Sequence, residues 1–128
     1  MASPTDSRDR RRNDRRGRRA EAIAALFLWL KGYRILARRV RCAAGEIDIV
    51  AAKADTLVFV EVKARATLDS GWNALHPAAL RRIEAASRVL APRYAGQRTT
   101  TRIDAVLVRP WALPVHMIAV RREGERWS

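Results

Sequence analysis

A chain of 128 residues, 48% of them hydrophobic, suits one domain with its own core and leaves little room for a second. Its 26 Lys and Arg against 13 Asp and Glu give a formal net charge of +13, a field that favours polyanions, nucleic acid first and an anionic membrane surface second. A single cysteine, Cys42, excludes an internal disulfide and a cysteine-based zinc site, and His76 and His116 are too few for a histidine metal cluster.

In chain order, residues 1–17 carry most of an Arg-rich stretch with almost no apolar residue, and a disordered tail is expected there. Strong helix formers from Arg18 to Lys31, closed by Gly32, predict a helix. Its apolar run, residues 22–30, falls short of the roughly 20 residues that span a membrane, and no signal-peptide pattern is present, so a cytoplasmic protein without membrane contact is expected. Within this helix Glu21 shares a face with Ala24, Ala25 and Leu28, and Trp29 is expected in the core. Residues 33–41, 45–52 and 56–64 read as three strands. A loop with Ser, Gly and Asn follows over 66–75. A second helix covers 76–94, with His76 at its start, Pro77 in its first turn and Pro92 marking its end. Residues 99–108 predict a fourth strand and 114–120 a fifth; Trp111 and Trp127 are uninformative, and 122–128 reads as a polar tail. The order of helix, three strands, helix and one or two strands predicts an α/β fold: one domain over 18–121, built as a mixed β-sheet flanked by helices.

Three carboxylates interrupt the second and third strands. Alternation along a strand puts Glu46, Asp48 and Val50 on one face and Ile47, Ile49 and Ala51 on the other. A hairpin pairing Ala52 with Leu57 sets Asp48 opposite Glu61 and Glu46 opposite Lys63. The second is an ion pair. The first places two like charges side by side, which is destabilising unless a cation separates them. Two carboxylates suit Mg²⁺ or Mn²⁺, which leave further positions to water and phosphate oxygens. The alternative is a structural ion-pair cluster on the sheet.

The spacing of Asp48 before Glu61-Val62-Lys63 on adjacent apolar strands resembles the signature of the PD-(D/E)XK, or restriction-endonuclease-like, nucleases. More closely, Ala20-Glu21, GYRILARRVR, GEIDIV, LVFVEVKAR, the basic helix 78–91 and RIDAV are similar to the bacterial YraN-like family within that superfamily. The resemblance covers about residues 17 to 108. It implies a restriction-endonuclease-like fold and metal-dependent hydrolysis of phosphodiester bonds in DNA, with Asp48, Glu61 and the Val62 carbonyl holding Mg²⁺ or Mn²⁺. Lys63 would orient the attacking water and stabilise phosphate charge, and Glu21 would be the acidic residue supplied by the first helix. Similarity to archaeal Holliday-junction resolvases extends this to branched DNA and a homodimer. A nucleic-acid-binding protein that keeps the fold without turnover is the alternative. Arg41, Arg65, Arg81, Arg82 and Arg88, with Trp72, are candidates for phosphate contact and base stacking. Asp104 is expected to be structural.

Overall fold

A computed structural model of the chain describes residues 4–122, with side chains for Arg15 and residues 17–120. The elements run α1 (Pro4–Leu30), β1 (Arg34–Cys42), β2 (Gly45–Lys53), β3 (Thr56–Ala64), α2 (Leu68–Asn73), α3 (Pro77–Tyr94), β4 (Thr100–Val108) and β5 (Val115–Arg122). The strands form one sheet in the order β1-β2-β3-β4-β5. All neighbours are antiparallel except β3 and β4, which run parallel in unbroken register from Thr56 with Thr100 to Ala64 with Val108. A parallel step needs a crossover, and α2 and α3 supply it.

The crossover puts α3 on one face of the sheet, and α1 covers the other. Ala24, Ala25 and Leu28 of α1 pack with Tyr33, Ile49, Ala51, Val58, Val60 and Val106. Ile83, Ala86 and Leu90 of α3 pack with Ile47, Val50, Leu57, Phe59 and Ile103. Burying side chains such as Leu28, Phe59 and Leu90 completely contributes about 1.5–3 kcal/mol each, so the sandwich of two cores is what fixes the sheet between the helices.

Four expectations are corrected. The first helix starts at Pro4, not near Arg18, so α1 takes in residues 4–17 of the expected disordered tail, and residues 1–3 lie outside the described residues; arginine propagates a helix well once an apolar, packed half has nucleated it. At its other end Gly32, at φ +93°, closes the helix with the paired bonds of a Schellman cap, Tyr33 N–H to Leu28 C=O and Gly32 N–H to Trp29 C=O, both 3.0 Å. Trp29 is not core: it lies about 100° round the helix from buried Leu28 and is 62% exposed. The segment expected as a loop contains α2, capped by Thr67, whose side chain accepts the Ser70 N–H at 3.1 Å. Pro92 lies inside α3, which runs only two residues past it. His76 caps that helix as expected, its Nδ1 accepting the Ala79 N–H at 3.2 Å. Of the expected C-terminal tail, Arg122 closes β5, and residues 123–128, Trp127 included, lie outside the described residues.

Candidate functional site

The β2–β3 hairpin has the expected register, from Lys53 with Thr56 through Ala52 with Leu57 to Ile49 with Val60. One step further the backbone ladder stops. There the Asp48 side chain takes over, its Oδ2 accepting the Val62 N–H at 2.8 Å. Alternation breaks at the same residue. Ile47 joins the α3 core and Ile49 the α1 core, although two residues apart on a regular strand should share a face. A local irregularity of this kind re-aims a side chain. The expectation that Ile47 and Ile49 point the same way is therefore corrected.

The break brings Asp48 against Glu61. Burial and the Glu61 charge push the Asp48 carboxyl up to about 7, a hydrogen bond with the Glu61 side chain adds to this, and the Val62 N–H and Lys63 oppose it. Lys63 Nζ lies 3.0 Å from Glu61 Oε1. The expected Glu46–Lys63 pair does not form. Lys63 pairs along its own strand, and Glu46, beyond the end of the β2–β3 ladder, pairs with Arg41 of β1, Nε to Oε2 at 3.0 Å.

Glu21 belongs to the same electrostatic neighbourhood. It is buried on α1, and burial together with the Asp48 charge raises its pKa against the lowering effect of Arg39 and Arg38. Arg39 Nε lies 3.0 Å from Glu21 Oε2, but the oxygen receives no aligned hydrogen bond, so the contact is an ion pair without a hydrogen bond. Arg39 is the residue that sequence reasoning missed. Its neighbours pair as Arg38 with Ile49 and Val40 with Ile47, which sets Arg39 across from Asp48, and its φ is +52°. The available signal was a pair of arginines on the strand that precedes GEID.

Among the described residues, no three His, Cys, Asp or Glu side chains converge as a complete ligand group. Asp48 and Glu61 do converge, and with the Val62 carbonyl beside them the donors are all hard oxygen, the chemistry of Mg²⁺ or Mn²⁺. Glu21 Oε2, buried without a hydrogen-bond donor, adds a third carboxylate nearby. The donor set fits a divalent cation that takes its remaining ligands from water.

The candidate nucleic-acid residues fall into two groups. Arg41, Arg65 and Trp72 are exposed at the end of β1, just past β3 and on α2. Arg65 follows Lys63 by two residues, and its Nη1 donates to the Ala64 carbonyl at 2.8 Å. Arg81, Arg82 and Arg88 are exposed on α3, whose other face buries Ala79, Ile83, Ala86 and Leu90.

Asp104 is a useful contrast to Asp48. It is fully buried, and Arg102 donates to both of its oxygens at 2.7 Å, the Ala119 N–H to Oδ1 at 2.9 Å, while His116 Nε2 lies 2.7 Å from Oδ2. Burial alone would raise its pKa; the hydrogen bonds from His116, Arg102 and Ala119 outweigh burial and hold it below the ordinary value. Asp104 is surrounded by donors and cations, whereas half-buried Asp48 has the Val62 N–H and stands beside a second carboxylate.

Comparison with known proteins agrees along the length of this core. Residues 20–108 match the model of a family described as "Uncharacterised protein family UPF0102". A UPF0102 protein of Mesorhizobium japonicum is 49% identical over 112 residues, 87% of this chain and 90% of that protein. Another, from Rhizobium johnstonii, is 51% identical over 110 residues, 85% and 90% of the two chains. A third, from Paramagnetospirillum magneticum, is 47% identical over 122 residues, 91% and 95%. The matched span carries Glu21, Asp48, Glu61 and Lys63 in one mixed sheet with its flanking helices, and the chain belongs to the UPF0102 family.

Proposed function

We propose that the protein is a divalent-metal-dependent nuclease that hydrolyses phosphodiester bonds in DNA, with branched DNA as its preferred class of substrate. The observation that carries this reading is the pair Asp48 and Glu61, brought together where the β2–β3 ladder ends, with Lys63 on Glu61. Like charges held together in a protein whose net charge is +13 point to a positive ligand at that spot and a polyanion around it. The resemblance of Asp48 and Glu61-Val62-Lys63 to the PD-(D/E)XK signature supports the same assignment, and the likeness to archaeal Holliday-junction resolvases supports branched DNA and a homodimer.

Asp48 and Glu61, with the Val62 carbonyl, would hold Mg²⁺ or Mn²⁺, and Glu21 would approach from α1. When bound, the cation supplies Lewis acidity toward the phosphate and lowers the pKa of a bound water. Val62 keeps Asp48 in place by donating its N–H. Lys63, half-buried and anchored on Glu61, positions the water that attacks phosphorus and offsets charge growing on the phosphate oxygens. Arg41, Arg65 and Trp72 contact the strand near the site.

A second reading, a nucleic-acid-binding protein that keeps this fold without turnover, is favoured by the incomplete carboxylate group. The test that separates them uses labelled linear, flap and four-way-junction DNA, with wild type and Glu61→Ala, in EDTA, Mg²⁺ or Mn²⁺. Metal-dependent cleavage lost in Glu61→Ala supports the nuclease. Binding without cleavage by either protein supports the second reading. Cleavage that survives Glu61→Ala overturns the site.

A further inference from the structure

Building on the reading of Asp48 and Glu61 as metal ligands, we propose that Arg39 is an internal counter-ion that holds Glu21 and is exchanged for the divalent cation when the site fills. In that role it is a positioning residue that sets metal affinity.

Three observations converge on Arg39. The first is backbone. At φ +52° it occupies a left-handed conformation that Gly, Asn and Asp adopt far more readily than arginine, and such residues persist where their surroundings hold them. The β1–β2 register places that residue across from Asp48, so the irregular backbone lies where alternation breaks on the facing strand.

The second is charge. Glu21, Asp48 and Glu61 are three carboxylates, and two cations contact them, Arg39 on Glu21 and Lys63 on Glu61. With Glu46 paired to Arg41 and Arg38 nearby, the neighbourhood holds four carboxylates and four cations, so its formal charges already cancel. A divalent cation adds two charges to a group that is already balanced. Keeping both internal cations would then leave the group in excess, so one of them is expelled.

The third is which one leaves. Lys63 sits on the same strand as its partner and its side chain is 25% exposed; the Arg39 side chain is 36% exposed and reaches from β1 to Glu21 on α1. Arg39 is the more exposed of the two cations, and it bridges two elements where Lys63 stays on one strand. Its departure frees a buried carboxylate beside Asp48, and that carboxylate turns to the cation or its water. The ligand group that is incomplete in the present conformation is completed by this exchange.

The test is Mn²⁺ binding to the full chain without nucleic acid, followed by electron paramagnetic resonance of the free ion. Wild type, Glu61→Ala, Arg39→Gln, Arg39→Lys, Glu21→Gln and the double variant Arg39→Gln/Glu21→Gln are compared, with folding checked by circular dichroism. Arg39→Gln should bind Mn²⁺ at least about fivefold more tightly, the lower end of coupling between two ligands of one site. Arg39→Lys should restore wild-type affinity. In the Glu21→Gln background the gain from Arg39→Gln should fall below about twofold, since the two residues act as a pair. Should Arg39→Gln lose its fold, Arg39→Asn, suited to the left-handed backbone, takes its place. Unchanged or weaker binding in the Arg39 variants overturns the exchange while leaving the metal site intact. A gain that persists in full without Glu21 also overturns it, because it would come from net charge alone. If wild type binds no Mn²⁺ that Glu61→Ala abolishes, the metal reading itself fails and the exchange fails with it.

Discussion

Asp48 of β2 takes the N–H of Val62 on β3 at 2.8 Å, one step beyond the last backbone pair of the hairpin, Ile49 with Val60. A side-chain carboxylate thus serves as acceptor where a main-chain carbonyl would continue the ladder. The substitution anchors Asp48 at one oxygen and leaves the other beside Glu61. The backbone pairing of β2 with β3 ends there.

This arrangement makes the protein less stable at neutral pH than it need be. The Asp48 carboxyl titrates at about 7 in the fold against an ordinary 3.8. Between those values the native protein holds a proton that the unfolded chain has released, so the Asp48 contribution to stability falls as pH rises through the window and levels off above it. Asp48→Asn keeps an acceptor for Val62 and removes the charge. In urea titrations it should be more stable than wild type by about 2 kcal/mol at pH 8, with the gap shrinking toward pH 4. Parallel pH profiles for the two proteins would count against this account.

Asp104 has the opposite sign. Its pKa is held below the ordinary range, so its contribution is fully present above that range and is lost as pH falls through the folded value. Asp104→Asn removes the charge that Arg102 and His116 face, leaving Arg102 without its buried partner. Breaking a buried pair from one side costs about 3–5 kcal/mol. The variant should therefore unfold at lower urea at pH 7, and the gap to wild type should narrow in acid. A loss below 1 kcal/mol would show that Arg102 and His116 find other acceptors.

Gly71 carries a packing prediction. A Cβ there would meet Leu107 Cδ1 at 2.4 Å, Cδ2 at 2.7 Å and Cγ at 3.0 Å, and Leu107 is fully buried between the strands and α2. Leu107 has little room to yield, so Gly71→Ala should lift α2 from the sheet at a cost of about 1–3 kcal/mol. The Trp72 fluorescence should shift with it, although three other tryptophans contribute to the signal. A variant as stable as wild type would mean that the core repacks around the added methyl.

What the sequence made legible follows from the range of the forces involved. The strands were readable because apolar alternation is local, and the register of Ala52 with Leu57 because a short turn leaves few choices. From that register alone Asp48 came out near Glu61. The break at Asp48 was not readable, since it depends on a hydrogen bond to Val62, fourteen residues away, and it overturned the facing of Ile47 and the pairing of Glu46. Trp29 was misplaced because a helix rich in apolar residues does not say which of its sides meets the sheet; Leu26, Trp29 and Leu30 all remain exposed. The α2 turn was missed because a six-residue helix has no period of its own, and it is held by the Thr67 cap and the close fit of Gly71 on Leu107.

The two groups of basic residues lead to a last prediction. Arg81, Arg82 and Arg88 are exposed on the outer face of α3, and phosphate contact is the role expected of them. Each phosphate contact releases counterions and contributes about 0.9 to the slope of log K against log salt on duplex DNA. Replacing all three with Ala should lower that slope by up to about 2.7 and weaken binding equally on linear and branched DNA. Arg65→Ala, two residues past Lys63, and Trp72→Ala, on α2, should instead change the preference among linear, flap and four-way-junction substrates while altering the slope by one contact or less. Fluorescence anisotropy over a salt series measures both quantities. A triple variant with the wild-type slope would place the DNA away from α3, leaving the β1, β3 and α2 ends of the molecule as its path.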